Sequence, residues 1–67
     1  MSEDAVVRFL GRRIDLYAES APIVRDGFLA HVDETRVFVL VPGDGRAAPW
    51  TMRAVALPDI IAIGPPR

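Results

Sequence analysis

Residues 25–41, RDGFLAHVDETRVFVLV, decide the fold. They read as two β-strands joined by a polar turn, Asp33-Glu34-Thr35-Arg36. The second strand, Val37 to Val41, is the longest uninterrupted apolar run in the chain. It shows no alternation of polar and apolar residues, so cover on both faces is expected. The first strand, Ile23 to Val32, carries Gly27 in its middle. A glycine weakens a strand unless it serves a bend, a bulge or a close backbone approach. Asp26-Gly27 also fits a hairpin turn between Ile23-Val24 and Phe28-Leu29. Those flanks are short, and a bent strand shared by both halves of a small barrel is the preferred reading.

Working outward toward the N-terminus, Arg12 to Ala18 alternates, with Ile14, Leu16 and Ala18 on one face and Arg13, Asp15 and Tyr17 on the other. That is a half-buried strand. Residues 2–10 read as a short helix. Ser2 stands at the N-cap, Glu3 and Asp4 in the first turn, and Val6, Phe9 and Leu10 form one stripe. Gly11 follows where a left-handed residue ends a helix. An extended arm with Val6 and Val7 in a strand is the competing reading.

Toward the C-terminus, Pro42 to Pro49 is a loop by composition. Trp50 to Leu57 is a fourth strand, Pro58-Asp59 breaks it, and Ile60 to Ile63 is a fifth strand, apolar on both faces. Gly64 to Arg67 is a frayed tail. Five short strands with tight connections predict an all-β fold, a small SH3-like bent antiparallel sheet closing into a barrel, in one domain spanning residues 1–67.

A chain of 67 residues is marginal as a lone fold. It has no Cys, so neither disulfides nor thiolate metal sites staple it, and one His excludes a multi-His site within one chain. With 51% hydrophobic residues, apolar surface covered by another subunit is expected. The net charge of −1 lacks the global basic footprint of nucleic-acid binders. All eight basic residues are Arg, which a GC-rich genome explains. No apolar run is long enough to span a membrane, and the acidic start does not resemble a secretory signal, so a cytoplasmic protein is expected.

No catalytic constellation stands out. Asp33 and Glu34 are adjacent carboxylates, and turn chemistry at Asp33 explains them better than acid–base catalysis. His31 is the lone imidazole, better read as a strand residue than as a metal ligand. Arg46 and Arg53 with Trp50 compose a basic-aromatic patch, against which Trp50 reads better as a packing anchor or subunit contact. Gly43-Asp44-Gly45 lacks the Lys and helix start of a phosphate loop. Neither enzyme activity nor a cofactor is expected.

The opening stretch resembles the first motif of Sm-like (LSm) proteins. Gly27, Leu29, Val32, Asp33 and Val39-Leu40 fall at that motif's spacings, and Leu10-Gly11 and Ile14-Asp15-Leu16 fit the preceding elements. The resemblance implies a short N-terminal helix, a five-stranded barrel, assembly into a homo-oligomeric ring, and single-stranded RNA as ligand. It puts Asp33, Thr35 and Arg36 at the RNA contact. Two departures point to weak or altered specificity. Arg36-Val37 replaces the family's Met-Asn-type pair, and Leu57-Pro58-Asp59-Ile60 stands where an Arg-Gly pair precedes the last strand. Assembly is expected by pairing of the strand Thr51 to Leu57 with the strand Ile60 to Ile63 of a neighbour, through Met52, Ala54, Ile60, Ile61 and Ile63. The alternative is a structural or protein-interaction barrel that oligomerises without RNA.

Overall fold

In the computed structural model, which describes residues 1–43 and 49–67, one short helix precedes a five-stranded antiparallel sheet. Helix α1 is Glu3–Val7. The strands are β1 Arg13–Ala18, β2 Val24–Val32, β3 Arg36–Pro42, β4 Trp50–Ala56 and β5 Ile60–Gly64. A single 3₁₀ turn, Leu57–Asp59, separates the last two. Pro58 tolerates that position because the first turn of a helix does not need its N–H.

The helix forms for the reasons its sequence gives. The Ser2 hydroxyl accepts the Ala5 N–H at 3.3 Å. Gly11 is left-handed at φ +76° but does not end the helix, which closes at its C-cap Arg8. The helix is shorter than residues 2–10, and its stripe is narrower. Val6 is fully buried and Phe9 packs against the core, whereas Leu10 lies beyond the helix with 45% of its surface exposed. The segment after the helix is tied down by backbone bonds, Gly11 N–H to the Leu29 carbonyl and Leu29 N–H to the Arg12 carbonyl.

The strand order is β4-β3-β2-β1-β5. Closure into a barrel was the expectation, and it is not made. Each of β4 and β5 pairs on one side only, with β3 and β1 respectively, so the sheet has two open edges. Its inner face carries Ile14, Leu16, Val24, Leu29, Val37, Val39 and Val55, joined by Val6, Leu57 and Ile60. Complete burial of one such side chain contributes roughly 1.5–3 kcal/mol.

Cover on both faces of β3 is also corrected. Val37 and Val39 are fully buried, but Phe38 and Leu40 on the other side are only half-buried. No described element packs across that outer face. Asp15 departs in the opposite sense. Alternation pointed it outward, yet only 4% of its surface is exposed. Its carboxylate accepts the Asp26 N–H at 2.8 Å and the Arg67 N–H at 3.2 Å, so a bulge in β2 and the C-terminal tail enclose it.

Gly27 serves a close approach. A Cβ there would lie 2.5 Å from Val24 Cγ1, 3.0 Å from Val39 Cγ1 and 3.1 Å from the Leu40 carbonyl. Gly27→Ala therefore overpacks the centre of the sheet. The expected loss is about 1–3 kcal/mol, read as a drop in thermal midpoint of about 4–8 °C per kcal/mol at fixed protein concentration.

Candidate nucleic-acid interface

The turn between β2 and β3 is built by one carboxylate. Asp33 Oδ1 accepts the Thr35 N–H at 2.8 Å, the Arg36 N–H at 2.8 Å and the Thr35 hydroxyl at 3.1 Å. The Asp33 N–H donates to the Arg36 carbonyl at 2.9 Å. This is the local side-chain capping that makes Asp a turn residue. The N–H of Thr35, then that of Arg36, holds the Asp33 carboxyl below its ordinary value, against a smaller opposing effect of burial.

The loop is also fixed from outside. The Leu57 N–H donates to the Thr35 carbonyl at 2.9 Å, and the Met1 amine donates to the Leu57 carbonyl at 2.9 Å. These contacts set the loop against the 3₁₀ turn. Between them opens a cleft of about 630 Å³, lined by Met1, Glu34, Thr35, Arg36, Leu57 and Pro58 among others.

The three candidate RNA residues thus lie together but do different things. Asp33 points into its own loop and positions the other two. The Thr35 hydroxyl is engaged by Asp33, and its oxygen keeps acceptor capacity. Arg36 is exposed, with its guanidinium carbon 5.4 Å over the Phe38 ring. Asp59, standing where the resemblance calls for a base, has a structural role. Its carboxylate accepts the Ser20 N–H and, at 2.7 Å, the Ser20 hydroxyl, while its carbonyl accepts the Glu19 N–H.

The candidate interface residues divide by exposure. Met52 and Ile61 are 53% and 64% exposed, Ala54 is exposed, and Ile63 is half-buried. Ile60, 5% exposed, belongs to the protein's own core and offers a neighbour only its backbone.

His31 is exposed and tilted against Phe38, ring centroids 5.6 Å apart. Among the described residues no three His, Asp or Glu side chains converge on a point. The basic-aromatic patch is differently composed from the one its sequence positions suggest. Arg53 donates to the Pro22 carbonyl at 3.0 Å. Arg46 and the loop tip at Asp44-Gly45 lie outside the described residues. Trp50 instead faces Arg13, whose guanidinium carbon is 5.4 Å over the indole. Those two residues are 37 positions apart, and no local pattern links them. Comparison of the chain with models of protein families, with curated proteins and with solved structures finds no match in any of the three.

The two lowered carboxyls give a pH dependence. The Asp26 N–H holds Asp15 down first, and the Arg67 N–H adds to it. Unfolding returns both Asp15 and Asp33 toward 3.8, so the unfolded chain binds more protons in acid. Their contribution is present above that value and is lost as pH falls through the lower folded values. Urea midpoints measured from pH 7 down to about 2.5 should fall along this acid limb, and Asp15→Asn should flatten it. Asp33→Asn keeps an acceptor for the turn and should also flatten the limb, whereas Asp33→Ala should lower the midpoint at every pH.

Proposed function

We propose that the chain is a divergent Sm-like subunit that assembles through its two sheet edges into a ring and binds single-stranded RNA at the Asp33–Arg36 loop. The observation that carries this reading is the strand order, with β4 and β5 as open edges on opposite sides of one sheet. A β4 edge set against a β5 edge is a heterologous contact. Such contacts repeat from copy to copy until the rotation closes. The hydrogen bonds that closure of the barrel would make within one chain would then be made between chains. Met52 and Ala54 on β4 and Ile61 on β5 are exposed apolar side chains on those strands, and the Ile60 backbone lies on the same β5 edge.

At the loop, Arg36 supplies a fixed fork of donors for phosphate and a plane on which a base stacks. Repetition around a ring multiplies a contact that is weak in one subunit. A second reading, an interaction barrel that assembles without RNA, is favoured by a specific observation. The Asp33 carboxylate is fully turned into its own loop, Glu34 is exposed beside Arg36, and the net charge is −1.

Light scattering should give a multiple of 7.3 kDa, and Ile61→Arg should disperse it. A 7.3 kDa particle at high concentration sinks the assembly. Labelled oligouridine should bind at low salt and weaken as salt rises, with a log–log slope near −0.7 per phosphate contacted. Assembly without such binding selects the second reading.

A further inference from the structure

The outer face of β2, β3 and β4 is left uncovered by any described element, and its composition is unusual for a solvated sheet face. Direct cross-strand partners project to the same side of a sheet. Phe28 pairs with Leu40 and Leu40 with Met52. His31 pairs with Phe38 and Phe38 with Ala54, and Trp50 stands opposite Pro42. All of these residues are half-buried or exposed, and Trp50, the only tryptophan, keeps 45% of its surface open.

Each end of this aromatic face holds a guanidinium stacked on a ring. Arg36 lies over Phe38 at one end and Arg13, opposite Phe28, over Trp50 at the other, both at 5.4 Å. Arg13 is further held by Asp26, through its carbonyl at 2.8 Å and its carboxylate at 2.8 Å. The cation is thus fixed in place, and the nearest carboxylate is neutralised by it. Aromatic planes flanked by positioned arginines are complementary to a strand of bases on a phosphate chain.

We propose that this outer face is a stacking platform for single-stranded RNA. Bases stack on the exposed Trp50 and His31 rings and on the guanidinium plane that Arg36 lays over Phe38, and Arg13 and Arg36 contact phosphate at its ends. The inference rests on the RNA binding proposed above and extends it, since Arg36 belongs to both the Asp33–Arg36 loop and the face. Trp50 and Arg13 belong only to the face, so they separate the two.

The lone tryptophan is the reporter. Full-length protein at constant concentration is titrated with oligouridine of about 12 nucleotides, within the range of known single-strand site sizes. Trp50 emission and the anisotropy of a labelled oligonucleotide are followed in parallel. The platform predicts saturable quenching of Trp50 that tracks the anisotropy. It predicts affinity lowered about tenfold in Trp50→Ala and largely kept in Trp50→Phe. Arg13→Ala should reduce the salt slope by about 0.7, and Arg13→Lys should restore it. Thermal melts of each variant confirm folding, and the wild-type emission does not depend on them. RNA binding with silent Trp50 emission and full affinity in Trp50→Ala overturns the platform and leaves the loop reading standing. Absence of RNA binding by both readouts at low salt overturns both. Emission that shifts with protein concentration and not with RNA shows the face to be a contact between copies, which also overturns it.

Discussion

The hydrogen bond from the Asp26 N–H to Asp15 Oδ1, 2.8 Å long, holds the fold at its least regular point. Between the pairs Ile14–Gly27 and Leu16–Val24 the register slips. Two residues of β2, Arg25 and Asp26, stand there against one residue of β1, Asp15. Asp26 takes up the slip at φ +55°, a region that side-chain-bearing residues seldom enter. A bulge of this kind frees backbone groups from the ladder, and those of Asp26 find side-chain partners instead. Asp15 supplies one and the Arg13 guanidinium the other, from the same strand. Gly27, next in sequence, lets β3 and Val24 close over the bulge without a clash. Because of this arrangement β2 can pair along one side with β1 and along the other with β3.

The local parts of this design are legible in the sequence. Ser2, Gly11, the alternation of Ile14 and Leu16, the Asp33 turn and the Pro58 break all act within a few residues of themselves. Their chemistry is the same in any fold that uses them. The misreadings concern partners distant in the chain. Alternation points Asp15 outward, because nothing near it announces that residues 26 and 67 will converge on its carboxylate. The Val37–Val41 run implies cover on both faces, because composition does not show which side of a strand lacks a neighbour. Arg13 and Trp50 meet only because β1 and β4 are brought into one sheet by two intervening strands. Of the candidate site, the location of the loop was readable, and the division of labour within it was not.

That division has consequences for any ligand. A carboxylate at the centre of a nucleic-acid contact is ordinarily repulsive. Asp33 avoids much of that by accepting three hydrogen bonds on one oxygen, so its charge is offset by the dipoles of its own loop. The loop then presents Arg36 in a defined direction, and Phe38 supports the guanidinium from below. The molecule does not attract polyanions through its overall field, since its net charge is −1. Recognition would have to come from a few positioned groups acting at short range. Pre-organisation of Arg36 and Arg13 against aromatic rings lowers the side-chain entropy lost on contact. This is the form that affinity can take when steering by net charge is absent.

The open edges make the final argument for assembly. Natural sheets protect an exposed edge with Lys, Pro, inward-pointing charge or a covering element. β4 has seven residues and contains no Pro, and its one charged side chain, Arg53, is bonded back to the Pro22 carbonyl. Met52 and Ala54 stand exposed along it. β5 has five residues, with Ile61 exposed at its second position where the register against β1 slips, and Pro65-Pro66 only after it has ended. A short, bulged strand guards the β5 edge in part, and the longer β4 edge has no such guard. Pairing β4 with β5 limits the ladder to the five residues of the shorter strand, a modest contact by itself. In a closed ring every subunit makes that contact twice, and no edge remains for further addition. Closure between chains, as proposed, would remove the same hazard that closure of a barrel would remove within one.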